Sequence, residues 1–141
     1  MTDLNKFLDA QENDFALALH EIESGKKQNH WMWYIFPQLK GLGFSYMSEK
    51  YGIRDLKEAS DYLQHPVLGA RLKQISKALL SLDKNDPDDI LGSIDAIKLR
   101  SSMTLFDIVD EDENSVFKRV LDKFYGGKVD EKTLDMLKDQ E

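Results

Sequence analysis

The sequence predicts an all-α fold: one globular domain over residues 1–141, a compact bundle of about seven to eight short helices, with residues 1–6 as a short N-terminal arm. Three observations point there. Apolar residues recur at a spacing near 3.6 along almost the whole chain. All eight glycines read as segment boundaries, and the three prolines stand where a helix would start or stop. The connections between periodic stretches are short, with no internal repeat and no low-complexity tract.

In order along the chain, Glu12–Ser24 carries Phe15, Leu19 and Ile22 at helical spacing, and Gly25 follows as a C-terminal stop. His30–Phe36 is apolar on every side, so periodicity alone does not separate helix from strand there. No second strand-like segment offers it a partner, so it is expected to form a buried helical turn or two, ended by Pro37. Ser45 suits the cap of a helix starting near Tyr46. Asp55 suits the cap of one placing Leu56, Ala59, Tyr62 and Leu63 on one face. Pro66 suits the first position of a longer helix with Val67, Leu68, Leu72, Ile75, Leu79 and Leu82 inward. Asp86-Pro87 repeats that pattern for a short segment closed by Gly92. Ser93 is expected to cap a helix that turns Ile94, Ile97, Thr104, Leu105 and Ile108 inward. Asn114 or Ser115 opens a helix burying Val116, Phe117, Val120, Leu121 and Phe124, stopped by Gly126-Gly127. Asp130 caps a last helix with Leu134 and Leu137.

Composition narrows the function classes. A 141-residue chain with 41% hydrophobic and 32% charged residues has the make-up of a folded globular protein. Its longest apolar run, Trp31 to Phe36, falls far short of the ~20 residues that cross a bilayer. Met1–Asn5 is polar and acidic with no apolar stretch behind it, unlike a secretory signal. A cytoplasmic protein with no membrane attachment is expected. With no cysteine and no HExxH pair, neither a metal nor a cofactor is expected. A net charge of −7 makes nucleic acid an unlikely partner.

The net charge conceals two basic islands. Residues 26–54 sum to +4 and residues 96–105 to +2, while the rest is acidic overall. The first island holds Lys26, Lys27, His30, the aromatic block, Gln38, Lys40, the Gly41/Gly43 pair, Ser45 and Ser48. Its glycines and hydroxyls read either as a capped helix-connecting turn or as a loop presenting N–H groups to an anion. Gly-x-Gly is neither a dinucleotide fingerprint nor a P-loop. The second island contains Lys98, Ser101 and Ser102 at i, i+3 and i+4, followed by Thr104. Hydroxyl residues are poor helix formers, so this cluster serves either close packing with bonds back to i−4 carbonyls or the lining of a polar pocket.

Of the histidines, His20 reads as a helix-edge residue and His65 as a turn residue. His30, opening the aromatic block inside a basic island, is a weak candidate for acid–base chemistry. A Ser101–His30–Asp95 triad can be written on paper, without a nucleophile-elbow pentapeptide to support it. Trp31 and Trp33 are either core or a flat wall for a ligand. The resulting expectation is a protein that binds, or acts on, a small anionic compound, phosphate-bearing or nucleotide-like. Its ligand would be held by His30, Trp31, Trp33, Gln38, Lys40, Ser45, Ser48, Lys98, Ser101 and Ser102. The alternative is a non-catalytic interaction module docking a basic partner through the acidic residues 106–114 or the first helix.

The string GKKQNHWMWYIFPQLKGLGFS, with HPVLG-RL and D-KL-SSMTLF further on, resembles an uncharacterised bacterial family, domain of unknown function number eighteen-ten, sometimes labelled calpastatin. The resemblance spans about Phe7 to about Leu137. It implies a small, mainly helical domain, and it brings no catalytic residues with it. A calpain-inhibitor role sits badly with a compact chain, since that label belongs to disordered inhibitors. Tyr34 stands where the family commonly shows Phe.

Overall fold

The computed structural model describes residues 3–140; it is 67% helical, and among these residues there are nine helices and no strand. They are α1 (Asn5–Glu23), α2 (Met32–Ile35), α3 (Tyr46–Tyr51), α4 (Leu56–Gln64), α5 (Leu68–Leu80), α6 (Pro87–Leu91), α7 (Ser93–Val109), α8 (Val116–Tyr125) and α9 (Glu131–Asp139). No helix among the described residues is long and apolar enough to cross a membrane.

The predicted caps account for many of the helix starts. Ser45 accepts a bond from Ser48 N, Asp55 from Glu58 N, Asp86 from Asp88 N, Ser115 from Lys118 N and Asp130 from Thr133 N. Each satisfies a backbone donor that the helix itself leaves open. The aromatic block forms the single-turn helix α2, as expected. Of Trp31 to Phe36, all are buried except Trp33, which is half-buried. An isolated parallel bridge, Leu39 to Ile53, ties the loop after α2 to the segment after α3.

Five expectations are corrected. α1 begins at Asn5 rather than near Glu12, because Phe7 and Gln11 both turn into the core. Of the arm expected over 1–6, residues 1 and 2 lie outside the described residues, while Leu4 is buried and Asn5 and Lys6 are helical. Pro66 precedes α5 instead of opening it, and His65 Nδ1 accepts from Val67 N and Leu68 N at 3.1 and 3.2 Å in the capping role. Ser93 is the first residue of α7, not its cap. The cap is Gly92, whose φ of +84° suits glycine and little else.

The fifth correction bears on function. Ile94, Ile97 and Ile108, expected inside, are 71%, 66% and 43% exposed. α7 packs against α4, α6, α8 and α9, so residues 101–106 are buried on every side, and this enclosure fixes the helix rotation. The first two turns of α7 then present their isoleucines to solvent. Elsewhere α1 lies on α2 and α5, and α5 on α4 and α8. One core cluster runs through them all, with Phe7, Tyr62, Phe106 and Phe117 in successive ring contacts 5.1 to 5.9 Å between centroids.

Candidate ligand-binding groove along helix α7

Lys27 of the first basic island and Lys98 of the second, 71 residues apart in the chain, meet at the start of α7. Asp95 Oδ2 lies 2.9 Å from Lys27 Nζ, and its Oδ1 lies 3.8 Å from Lys98 Nζ. Lys27 in turn lies over the Trp31 ring at 5.0 Å, and Lys98 over the Trp33 ring at 5.3 Å. Two ammonium groups therefore share one carboxylate between two indoles. Lys27 is the fixed partner, with a close contact and a side chain only 8% exposed; Lys98 has the longer contact and is 21% exposed.

A concavity opens on each side of Lys98. The larger, about 370 Å³, is an open hollow walled by His30, Trp33, Leu91, Gly92, Ile94 and Asp95. The smaller, about 190 Å³, is more enclosed and lies between α7, the loop 38–43 and the start of α9. Its walls are Gln38, Leu42, Ile94, Ile97, Ser101, Asp130 and Lys132. Lys98 and Ile94 belong to both.

Of the residues singled out from the sequence, His30, Trp33, Gln38, Lys98 and Ser101 line these concavities. His30 is exposed, and Ser101 donates at 3.0 Å to Asp130 Oδ2 and at 3.3 Å to the Ile97 carbonyl. The other five line neither. Trp31 is buried. Ser45 caps α3, and Ser48 packs behind Gly43, where its Oγ stands 2.6 Å from the place of a glycine Cβ. Lys40 pairs loosely with Glu49 at 3.9 Å on the exposed surface. Ser102 is wholly buried, and its Oγ has no hydrogen-bond partner among the described residues. The paper triad does not assemble, because Ser101 is bonded to Asp130 and Asp95 is held by two lysines.

The hydroxyl cluster serves close packing with bonds back to i−4 carbonyls, and of its members Ser101 also reaches the wall of the smaller hollow. Thr104 bonds back to the Arg100 carbonyl at 2.8 Å and accepts from Asp130 N at 2.9 Å, which packs the start of α9 onto α7. Arg100 donates to the carbonyls of Lys128 and Val129 at 3.0 and 2.7 Å, and Tyr125 donates to the Ala96 carbonyl at 2.5 Å. The far wall of the groove is thereby latched to its floor.

The near wall is held by Glu21, a residue that nothing in the sequence pattern singled out. Its Oε1 accepts from Gln28 N, Asn29 N and the Trp31 indole N–H at 2.7, 3.0 and 2.9 Å, and its Oε2 from the Asn29 amide. Burial pushes this carboxyl up, but the bonds from the Asn29 side chain, the two backbone N–H groups and Trp31 outweigh it and hold the pKa at about 2. Asp130 and Lys132 were likewise unforeseen as wall residues, since Asp130 reads from sequence as a cap. Ile94 and Ile97 had no signal of exposure at all.

The acidic stretch 106–114 is largely occupied with its own loop. Asp110 and Asp112 accept from the backbone N–H two residues on at 2.9 Å, and Asp107 accepts from the Ser115 hydroxyl at 2.7 Å.

Fold and groove together define a small all-α protein with a shared cation set between two partly apolar hollows. Residues 1–137 match the family described as "Protein of unknown function (DUF1810)", and the chain belongs to this family, as the motif resemblance implied. Among solved structures it is similar to the conserved hypothetical protein Rv1873 from Mycobacterium tuberculosis, at 41% identity over 96% of each chain and a TM-score of 0.93. No curated protein matches the chain.

Proposed function

We propose that this protein binds a small anionic ligand at the mouth of the α7 groove, with Lys98 as the charge that holds it. The observation that carries the reading is the pairing of two lysines with the single carboxylate of Asp95. Lys27 keeps Asp95 neutralised at 2.9 Å when Lys98 turns toward a ligand, so recruiting Lys98 leaves no buried charge unpaired. Trp33 and His30 flank the same cation, and the acidic surface elsewhere guides anions to this spot by repelling them from others.

The test is a titration of inorganic phosphate and of nucleoside monophosphates, followed by backbone amide NMR shifts and by Trp fluorescence. Lys98→Met, which keeps the hydrocarbon stem over Trp33, serves as the control variant. Saturable shifts centred on residues 30–33 and 94–101, at least tenfold weakened in the variant, are expected. Shifts that do not saturate at tens of millimolar, or that persist unchanged in Lys98→Met, overturn the proposal.

A further inference from the structure

The smaller hollow says what kind of anion. Resting on the anion site at Lys98, we infer that the ligand is an aryl anion, a phosphate monoester or carboxylate, whose ring lies between Leu42, Ile94 and Ile97 while its charged group sits on Lys98.

Ile94 and Ile97 are 71% and 66% exposed although residues 101–106 of the same helix are all buried. Two large exposed apolar side chains one turn apart on a helix, facing Leu42 across a hollow, form a wall that water solvates poorly. Lys98 follows Ile94 by four positions, on the same face, which sets the cation at the boundary of the apolar space. A free phosphate ion reaches Lys98 but covers neither isoleucine. A ligand with an apolar body covers both.

Size and charge restrict that body further. A cavity of about 150 Å³ accepts a benzene ring, and this hollow measures about 190 Å³. One six-membered ring fits within it, and any larger body extends out through the open mouth. The far wall carries the Asp130 carboxylate, whose Oδ2 already takes bonds from Ser101 Oγ, Thr133 N and Thr133 Oγ1 at 3.0, 3.1 and 2.6 Å. Lys132 stands on the same wall, so that edge carries charges of both signs and the apolar body of the ligand belongs against Leu42, Ile94 and Ile97. The Gln38 side chain, on the loop wall, adds one polar group for a ring substituent.

The experiment is a calorimetric titration of the full chain with methyl phosphate, phenyl phosphate and benzoate, using wild type, Lys98→Met and Ile97→Ser. Ile97 is mostly solvent-exposed, so its replacement leaves the fold intact. The expected result is that phenyl phosphate or benzoate binds at least tenfold tighter than methyl phosphate, and the tighter of the two names the headgroup. Ile97→Ser removes that gain but leaves methyl phosphate unchanged, and Lys98→Met weakens all three. If both aryl anions bind no tighter than methyl phosphate, or their gain survives Ile97→Ser, this inference falls while the anion site stands. If methyl phosphate itself fails to bind, or binds independently of Lys98, both fall.

Discussion

Glu21→Gln is the substitution whose consequence the structure specifies most fully. The wild-type carboxylate collects four hydrogen bonds from residues 28–31, and its pKa of about 2 lies well below the ordinary 4.5. A group held that far down stabilises the folded state by about 3 kcal/mol wherever it is ionised in both states. The sign follows from proton uptake. Below pH 4.5 the unfolded chain takes a proton at Glu21 that the folded chain refuses, so stability is complete above that pH and is lost as pH falls toward 2. Glutamine has no such titration, and its amide N–H₂ faces donors rather than acceptors. Urea unfolding of both proteins at a series of pH values reads the difference. The pH-dependent part of the gap is expected to be about 3 kcal/mol at pH 7, about 2 at pH 3.5 and about 1 near pH 2.5. A gap that is absent at pH 7, or equally large at pH 7 and pH 3.5, refutes the account of Glu21 as an ionised clamp.

Neighbouring serines on α7 are expected to respond in opposite ways under the same urea assay. Ser102→Ala removes a buried hydroxyl that has no hydrogen-bond partner among the described residues, and it should leave stability within about 0.5 kcal/mol of wild type or raise it. Ser101→Ala takes a donor from Asp130 and should cost about 1 kcal/mol. Gly92→Ala should cost about 1–3 kcal/mol because of its backbone alone, φ +84° with ψ 158° being a region essentially reserved for glycine, since no atom lies within 4 Å of the added Cβ. A negligible change there would mean that the α6–α7 joint relaxes.

What was legible in the sequence was mostly local. The caps at Ser45, Asp55, Asp86, Ser115 and Asp130 act over two or three residues, so residue type and position suffice to read them. The start of α1 was not legible because Leu4 makes no side-chain cap and a buried glutamine, Gln11, interrupts the apolar pattern. Its amide donates to the Tyr34 carbonyl at 2.7 Å and the Tyr62 hydroxyl at 2.9 Å, partners 23 and 51 residues away. The rotation of α7 is a tertiary matter too. Periodicity placed Ile94 and Ile97 with the apolar set, and only the enclosure of residues 101–106 turns them outward. In the groove, charge patterning pointed to Lys98 and the first island. It could not show that Asp95 sits between Lys27 and Lys98, nor that Lys40 and Ser45 face elsewhere.

The ties from Ala96, Arg100 and Thr104 of α7 to the segment 125–130 have a consequence for selectivity. They run along a single helix and hold the 125–130 segment against α7, so that side of the smaller hollow cannot move away without breaking several bonds at once. A guest pressed against that wall meets a surface of preset position, costs the host little freedom on entry, and is accepted or refused by how far it reaches toward it. Homologous compounds should therefore bind with a sharp cutoff at the first substituent that reaches too far toward that wall, rather than with a gradual decline.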